Sequence, residues 1–181
     1  EGVAYTDYSK SAIDAFLVGR RILQNAEEAG ELTVEADAAL QGQIEIAAMT
    51  WEKCIAATVV HYINDVSDDM ADFTPPYYAD LSNFINLSKH WGEMKGFALG
   101  LQFSPVSPFR TGETGKDVAD LKRVLSLMGD APVLADGSQG GQPATTASPS
   151  DAIQNYLTAL QEARGILAEA YGFEPEVVEI W

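Results

Sequence analysis

The feature that most constrains the fold is one uninterrupted segment, residues 33–66. It contains no proline and no interior stop signal, so it predicts a helix of about 45 Å at 1.5 Å per residue, with Thr33 as its N-cap. On a helical wheel its apolar side chains form one narrow stripe. We expect this stripe to face the core. Its members are Ile44, Ala48, Trp51, Ile55, Thr58, Val59, Tyr62 and Val66.

Four further segments carry apolar residues at three- and four-residue steps, which predicts helices. They span about residues 8–28, 78–102, 116–128 and 151–171. Pro75 and Pro76 end whatever precedes them, and residues 129–150 predict one long flexible loop. No segment predicts a strand. The expected fold is all-α, an up-down helical bundle of about five helices in a single domain, residues 1–181.

The composition excludes several classes of partner. The chain has 181 residues, 27 acidic against 11 basic side chains and a formal net charge of −16. Nucleic-acid binding needs clustered Lys and Arg, and an anionic membrane surface would repel such a chain. No apolar run is long enough for a transmembrane span. With 46% hydrophobic residues, the chain can still bury a core.

One pair of residues has the spacing of metal ligands. His90 and Glu93 lie at i and i+3 on the third predicted helix, so both side chains can ligate one divalent ion: iron, zinc or calcium. Further ligands must come from another helix, and Asp65 is the candidate. In the alternative interpretation, His90 is a hydrogen-bonded structural residue.

Four aspartates follow the long predicted helix. Asp65, Asp68, Asp69 and Asp72 would share one face if the helix continued, which is costly near a helix C-terminus. A hard cation such as Ca²⁺ would offset the repulsion. We expect instead that the helix ends near Val66 and that the aspartates are solvated in a turn.

Three glycines recur on the third helix at a spacing of four: Gly92, Gly96 and Gly100. Each costs about 0.8–1 kcal/mol relative to alanine, so we expect compensation by close packing of another backbone. The alternative is a helix break at Gly92 or Gly100 that opens a pocket. Lys95 falls near the apolar stripe of this helix, where it either extends to solvent or pairs with a buried carboxylate.

A catalytic trio is not expected. Cys54, His61 and Asp65 lie along one helix, with Cys54 and His61 about 10 Å apart by helical rise, whereas a nucleophile and its base must converge. The single cysteine also excludes an internal disulfide. The common hydrolase and phosphate-loop motifs do not occur.

Several stretches resemble an uncharacterised, imelysin-like family of bacterial proteins. They are KHWGEMKGFALGLQF at 89–103, WEKCIAATVVHYIND at 51–65, LMGDAPVL at 127–134 and the C-terminal AYGFEPEVVEIW. The resemblance implies an extracytoplasmic helical bundle, often lipid-anchored, linked to iron or haem acquisition. Such proteins carry two bundle repeats, and this chain corresponds to the second, C-terminal half only.

Three functions follow as hypotheses. The first is a non-enzymatic extracytoplasmic protein that binds metal or haem. The second is a structural module that assembles through its helices. The third is a metallopeptidase with Glu93 as base and His90 as ligand. A half-bundle would expose an apolar face, so the expected partner is a missing N-terminal half or a second copy of the chain.

Overall fold

The computed structural model describes residues 7–71, 73 and 81–181, apart from the side chains of residues 81 and 82. These residues form helices and no β-strand, which confirms the predicted all-α bundle. The helices are α1 (Tyr8–Ala29), α2 (Val34–Ala71), α3 (Leu81–Gly100), α4 (Pro108–Thr111), α5 (Val118–Met128), α6 (Pro149–Tyr171) and α7 (Pro175–Val178). Asp72, the break at Pro75 and Pro76, and the predicted start at Tyr78 lie outside the described residues.

Polar caps and glycines set the helix ends. Thr33 Oγ1 accepts a hydrogen bond from the Ala36 amide at 3.2 Å, as the sequence predicts. Ser148 Oγ accepts one from the Asp151 amide at 3.1 Å and starts α6. Gly30 takes the left-handed conformation, with φ of 80°, and ends α1. The short turn that follows makes α1 and α2 a helical hairpin.

The core lies between the C-terminal half of α2 and helices α3, α5 and α6. Helix α2 also contacts α1 and α7, so it touches four of the other helices. The largest fully buried side chains are Phe109, Ile63, Met70, Leu87, Met94, Leu101, Met128, Leu160, Leu167, Val59, Val60 and Val66. In the part of the chain that the structure describes, these side chains form a continuous core, and α2 supplies its centre.

The predicted inward stripe of α2 is only half correct. Val59 and Val66 are buried, but Ile44 and Trp51 are exposed. The buried face of α2 also includes Ile63, which the predicted stripe left out. The physical reason is the number of neighbours: the C-terminal half of α2 packs against α3 and α6, whereas its N-terminal half packs against α1. The wheel located the apolar residues but not the helices that cover them.

The prediction that α2 ends near Val66 is wrong. The helix continues to Ala71, so Asp65, Asp68 and Asp69 are helical. Two gains outweigh the poor helix propensity of aspartate. Val66 and Met70 are fully buried on the core face, and histidines contact two of the aspartates.

The predicted packing of the α3 glycines is also wrong. Gly92, Gly96 and Gly100 are exposed, and a Cβ added at any of them would meet no atom within 4 Å. Of the two breaks offered as the alternative, the one at Gly92 does not occur, whereas α3 does end at Gly100, which lines an open pocket beside α2. The cost of these glycines is offset by the other side of α3, where Leu87, Met94 and Ala98 are buried.

The segment between α5 and α6 is two residues shorter than the predicted loop, because α6 begins at Pro149, and local bonds hold it. Isolated bridges join Val133 to Gln139 and Gln139 to Gln142. Gly137 has a φ of +80°, and a Cβ there would lie 2.9 Å from the Cα of Pro149, so only glycine fits. Its flexibility stays a prediction.

Side chains from α3 and α6 close the C-terminus of α5. Lys95 Nζ donates to the carbonyls of Leu125 at 2.7 Å and Gly129 at 2.6 Å, so it neither extends into solvent nor pairs with a buried carboxylate. Trp91 Nε1 and the Tyr156 hydroxyl both donate to the Met128 carbonyl, at 3.2 and 2.7 Å. These bonds satisfy carbonyls that a helix end leaves without partners.

Asn64 fixes the C-terminus of the chain against α2. Its Nδ2 donates to the carbonyls of Val178 at 3.0 Å and Trp181 at 2.7 Å. Its Oδ1 accepts from Arg164 of α6 at 2.7 Å. One amide therefore joins α2, α6 and the final turn.

The carbonyl contacts of Lys95 predict a stability effect. Lys95→Met keeps the apolar stem but removes both bonds, and we expect unfolding to become easier by about 2 kcal/mol. Urea denaturation followed by circular dichroism measures it. Lys122→Met, at an exposed position on α5, is the control and should change stability by less than about 0.5 kcal/mol. Equal effects of the two variants would contradict the role assigned to Lys95.

Candidate functional site

Two aspartates of α2 converge on one histidine of α3. The Nδ1 of His90 lies 2.8 Å from Asp69 Oδ2, and its Nε2 lies 4.0 Å from Asp65 Oδ2. Asp65 also lies 3.3 Å from the Nε2 of His61, one helical turn earlier. We call Asp65, Asp69 and His90 the His90 cluster. The spacing of four on α2 places both carboxylates toward α3, which is how the fold assembles the cluster.

Burial and the contact with His90 shift the pKa of Asp69 in opposite directions. Burial raises the pKa of its carboxyl above the ordinary value, and the bond to His90 partly offsets the shift. The neighbouring Asp65 and Asp68 carboxylates raise it further. The pair therefore joins two half-buried titratable groups across the α2–α3 interface, where each satisfies the other.

Glu93 lies one turn beyond His90 and faces Tyr62. Its Oε2 is buried and has no hydrogen-bond partner among the residues that the structure describes. Partial burial, and then the charge of Glu93, raise the pKa of the Tyr62 phenol. The Tyr62 ring stacks on Phe97 with centroids 6.0 Å apart. An unpaired buried carboxylate oxygen is costly, so this corner is the least satisfied part of the interface.

The three predicted ligands do not form a finished metal centre. In the part of the chain that the structure describes, no three His, Cys, Asp or Glu side chains are grouped to hold a metal ion. Asp65 approaches His90, whereas Glu93 faces Tyr62. Metal binding by His90, Glu93 and Asp65 stays a prediction.

Cys54 takes no part in the cluster. Its thiol is half-buried, and burial raises its pKa, which favours the unreactive thiol over the thiolate. His61 pairs with Asp65 instead.

A second feature is an open apolar groove along the middle of α2. Its volume is about 620 Å³. Helix α1 lies on one side, and residues 100–106 lie on the other. We call this the α2 groove. Its main apolar lining residues are Ala12, Phe16, Ile44, Ala48, Trp51, Ile55, Phe103 and Val106.

Three aromatic side chains dominate the surface of the α2 groove. Phe16 is 69% exposed, Trp51 70% and Phe103 75%. An aromatic side chain offers about 150–250 Å², so these three leave roughly 300–500 Å² of apolar surface in water. That equals the largest apolar patch of a typical monomeric protein, and such patches mark interaction sites.

The carboxylate of Glu52 lines the α2 groove but places no negative charge on the solvent-exposed side of the groove. Glu52 is buried, and its Oε1 accepts a hydrogen bond from the Tyr171 hydroxyl at 2.7 Å. Burial raises the pKa of Tyr171, which keeps the phenol protonated as a donor. Glu52 is therefore directed toward the core.

Helix α1 packs its small residues inward and its large apolar residues outward. Ala15 and Gly19 are buried against α2, and the Cα of Gly19 faces Leu40. On the other side, the side chains of Ile13, Phe16, Leu17 and Leu23 are exposed. Among the described helices, α1 contacts α2 alone. A finished core has the opposite arrangement, with the large side chains inside.

The sequence reasoning did not identify the α2 groove. The wheel assigned Ile44 and Trp51 to the inward stripe of the long helix, because a wheel cannot distinguish a covered face from an open one. A signal was nevertheless present: α1 has two apolar faces, one of small residues and one of large residues. Asp69 was noticed only as part of the aspartate run, since its contact with His90 depends on the packing of α2 on α3.

Comparisons with protein-family models, with curated proteins and with solved structures found no match. The imelysin resemblance therefore stays a prediction. No described helix combines the length and apolar character needed to span a membrane.

The His90–Asp69 contact predicts energetic coupling across the α2–α3 interface. In a double-mutant cycle of His90→Ala and Asp69→Ala, we expect a coupling free energy of about 1–2 kcal/mol, because both groups are half-buried. The matched cycle of His61→Ala and Asp65→Ala should give about 0.5 kcal/mol or less, since His61 is half exposed. Urea unfolding at pH 7 measures both. A larger coupling in the outer pair would contradict the assignment.

Proposed function

We propose that this chain is an assembly module that binds another protein chain in the α2 groove. The observation that carries the proposal is the groove itself, an apolar surface built from three separate elements. Exposed aromatic residues that converge on one concavity are typical of binding surfaces, where Trp and Tyr supply most of the binding energy.

The shape of the α2 groove fits a helix. The α2 residues that line it include Ile44, Ala48, Trp51 and Ile55, which recur at steps of four, three and four along one face. Such a face accepts an amphipathic helix that presents apolar residues at the same spacing. The partner helix would lie along α2 between α1 and residues 100–106.

The packing of α1 supports the same function. An isolated pair of helices buries little, and α1 buries only Ala15 and Gly19 among its 22 residues. Most helical stability in proteins comes from packing of an apolar face. Binding in the α2 groove would cover Phe16 and stabilise α1.

Photo-crosslinking in the cells that produce the protein tests this function. A benzophenone side chain at position 103 replaces an exposed phenylalanine at the edge of the α2 groove. We expect one dominant protein–protein crosslink, identified by mass spectrometry. The same side chain at position 34, an exposed valine at the start of α2 outside the groove, is the control. No crosslink at 103, or equal crosslinking at 34, would refute the proposal.

Metal binding is a second candidate, favoured by the buried unpaired Glu93 Oε2 close to the His90 cluster. Under this candidate function, the protein would be the imelysin-like, extracytoplasmic protein of iron or haem acquisition that the sequence suggests. The Asp65 and Asp69 carboxylates beside His90 offer the oxygen ligands that such a cation prefers.

This candidate predicts that Zn²⁺, Fe²⁺ or Ca²⁺ raises the melting temperature of the wild-type protein. We expect the shift to disappear in His90→Ala and to persist in His61→Ala. Differential scanning fluorimetry with each ion, and with a chelator, measures it. No shift with any of the three ions would exclude the candidate.

A further inference from the structure

We infer that the occupant of the α2 groove is a second copy of this chain, packed hairpin against hairpin through α1 and α2. The inference rests on the proposed assembly function and names its partner. Three observations support it: the apolar side chains on both sides of α1, the size of the exposed apolar surface and the distribution of charge.

The hairpin carries both halves of an interface. Helix α1 lines one side of the α2 groove through Ala12 and Phe16, and its outer face presents Ile13, Leu17 and Leu23. The outer face of one copy can therefore enter the groove of the other, and the same contact repeats by two-fold symmetry. Two hairpins packed in this way form a four-helix bundle.

The apolar surface has the size of a stable interface. The three aromatic residues alone expose roughly 300–500 Å². Four aliphatic side chains, each about half exposed, extend this surface: Ile13, Leu17, Leu23 and Ile44. Together they approach the roughly 800 Å² that each partner contributes to a standard interface.

The charge distribution favours a second copy over a cationic partner. The three segments that line the α2 groove and its edges, residues 10–23, 44–55 and 97–106, contain four basic and three acidic side chains. Their sum of +1 contrasts with −16 for the whole chain. The acidic excess therefore lies elsewhere, and this surface is the place where two copies repel each other least. The charged residues are Lys10, Asp14, Arg20, Arg21, Glu45, Glu52 and Lys53.

Sedimentation equilibrium of the purified chain tests the inference. We expect the mass to rise with concentration from 19.5 kDa toward twice that value. Phe16→Glu and Trp51→Glu should each raise the dissociation constant at least about 100-fold, because each buries an unpaired carboxylate in both halves of the interface. Both positions are exposed in the single chain, so the variants should keep the wild-type circular dichroism spectrum. Val34→Glu is the matched control on α2 and should dimerise like the wild type.

The salt dependence of association distinguishes a second copy of this acidic chain from a partner that binds through opposite charges. Raising the salt concentration should strengthen dimerisation, because it screens the repulsion between two acidic chains, with a Debye length of about 8 Å at 0.15 M. Weakening by salt, or a dimer unaffected by Phe16→Glu and Trp51→Glu, would overturn the inference.

A chain that stays monomeric up to about 1 mM would also overturn it. If the crosslink at position 103 then captures a different protein, the assembly function stands and only the second copy fails. If position 103 captures nothing, both proposals fail.

Discussion

The architecture depends on the length of α2 relative to the bundle that it enters. Its 38 residues span about 57 Å, whereas the 20 residues of α3 span about 30 Å. The C-terminal half of α2 therefore contacts α3 and α6, whereas its N-terminal half packs against α1 and, from Glu45 onward, lies beside residues 105–113. Residues of this one helix contribute to the core, to the His90 cluster and to the α2 groove.

Polar side chains fix how the helices pack around α2. Glu52 binds the Tyr171 hydroxyl, and Asn64 binds Arg164 together with two carbonyls of the C-terminal turn. Each of these groups would cost free energy if it were buried alone, so each is compatible with only one arrangement of α2 and α6. Apolar burial supplies the driving force, and these bonds select the register.

The helices could be predicted from the sequence because each carries a long periodic pattern. The helices that pack against each apolar face could not be predicted, since the pattern shows that a face is apolar but not which element covers it. Trp51 belongs to the predicted stripe and is exposed, and Gly96 was expected to meet a backbone but meets water. For the Lys95 ammonium group, the sequence suggested either solvent or a buried carboxylate as its surroundings. In the structure it donates instead to carbonyl oxygens at the end of α5. In the candidate site, His90 Nε2 lies 4.0 Å from Asp65 Oδ2, and their joint role as metal ligands stays a prediction. The contact of Asp69 with His90 depends on α2 continuing past Val66.

The closure of α5 by other helices has a consequence for the order of folding. With 11 residues, α5 is shorter than the roughly 12–15 residues that an isolated helix needs in water. The donors at its C-terminus, Trp91, Lys95 and Tyr156, come from segments about thirty residues away on either side. The last turn of α5 therefore acquires its bonds only after α3 and α6 have docked, which makes it a late step whose rate is set by loop closure rather than by helix propagation.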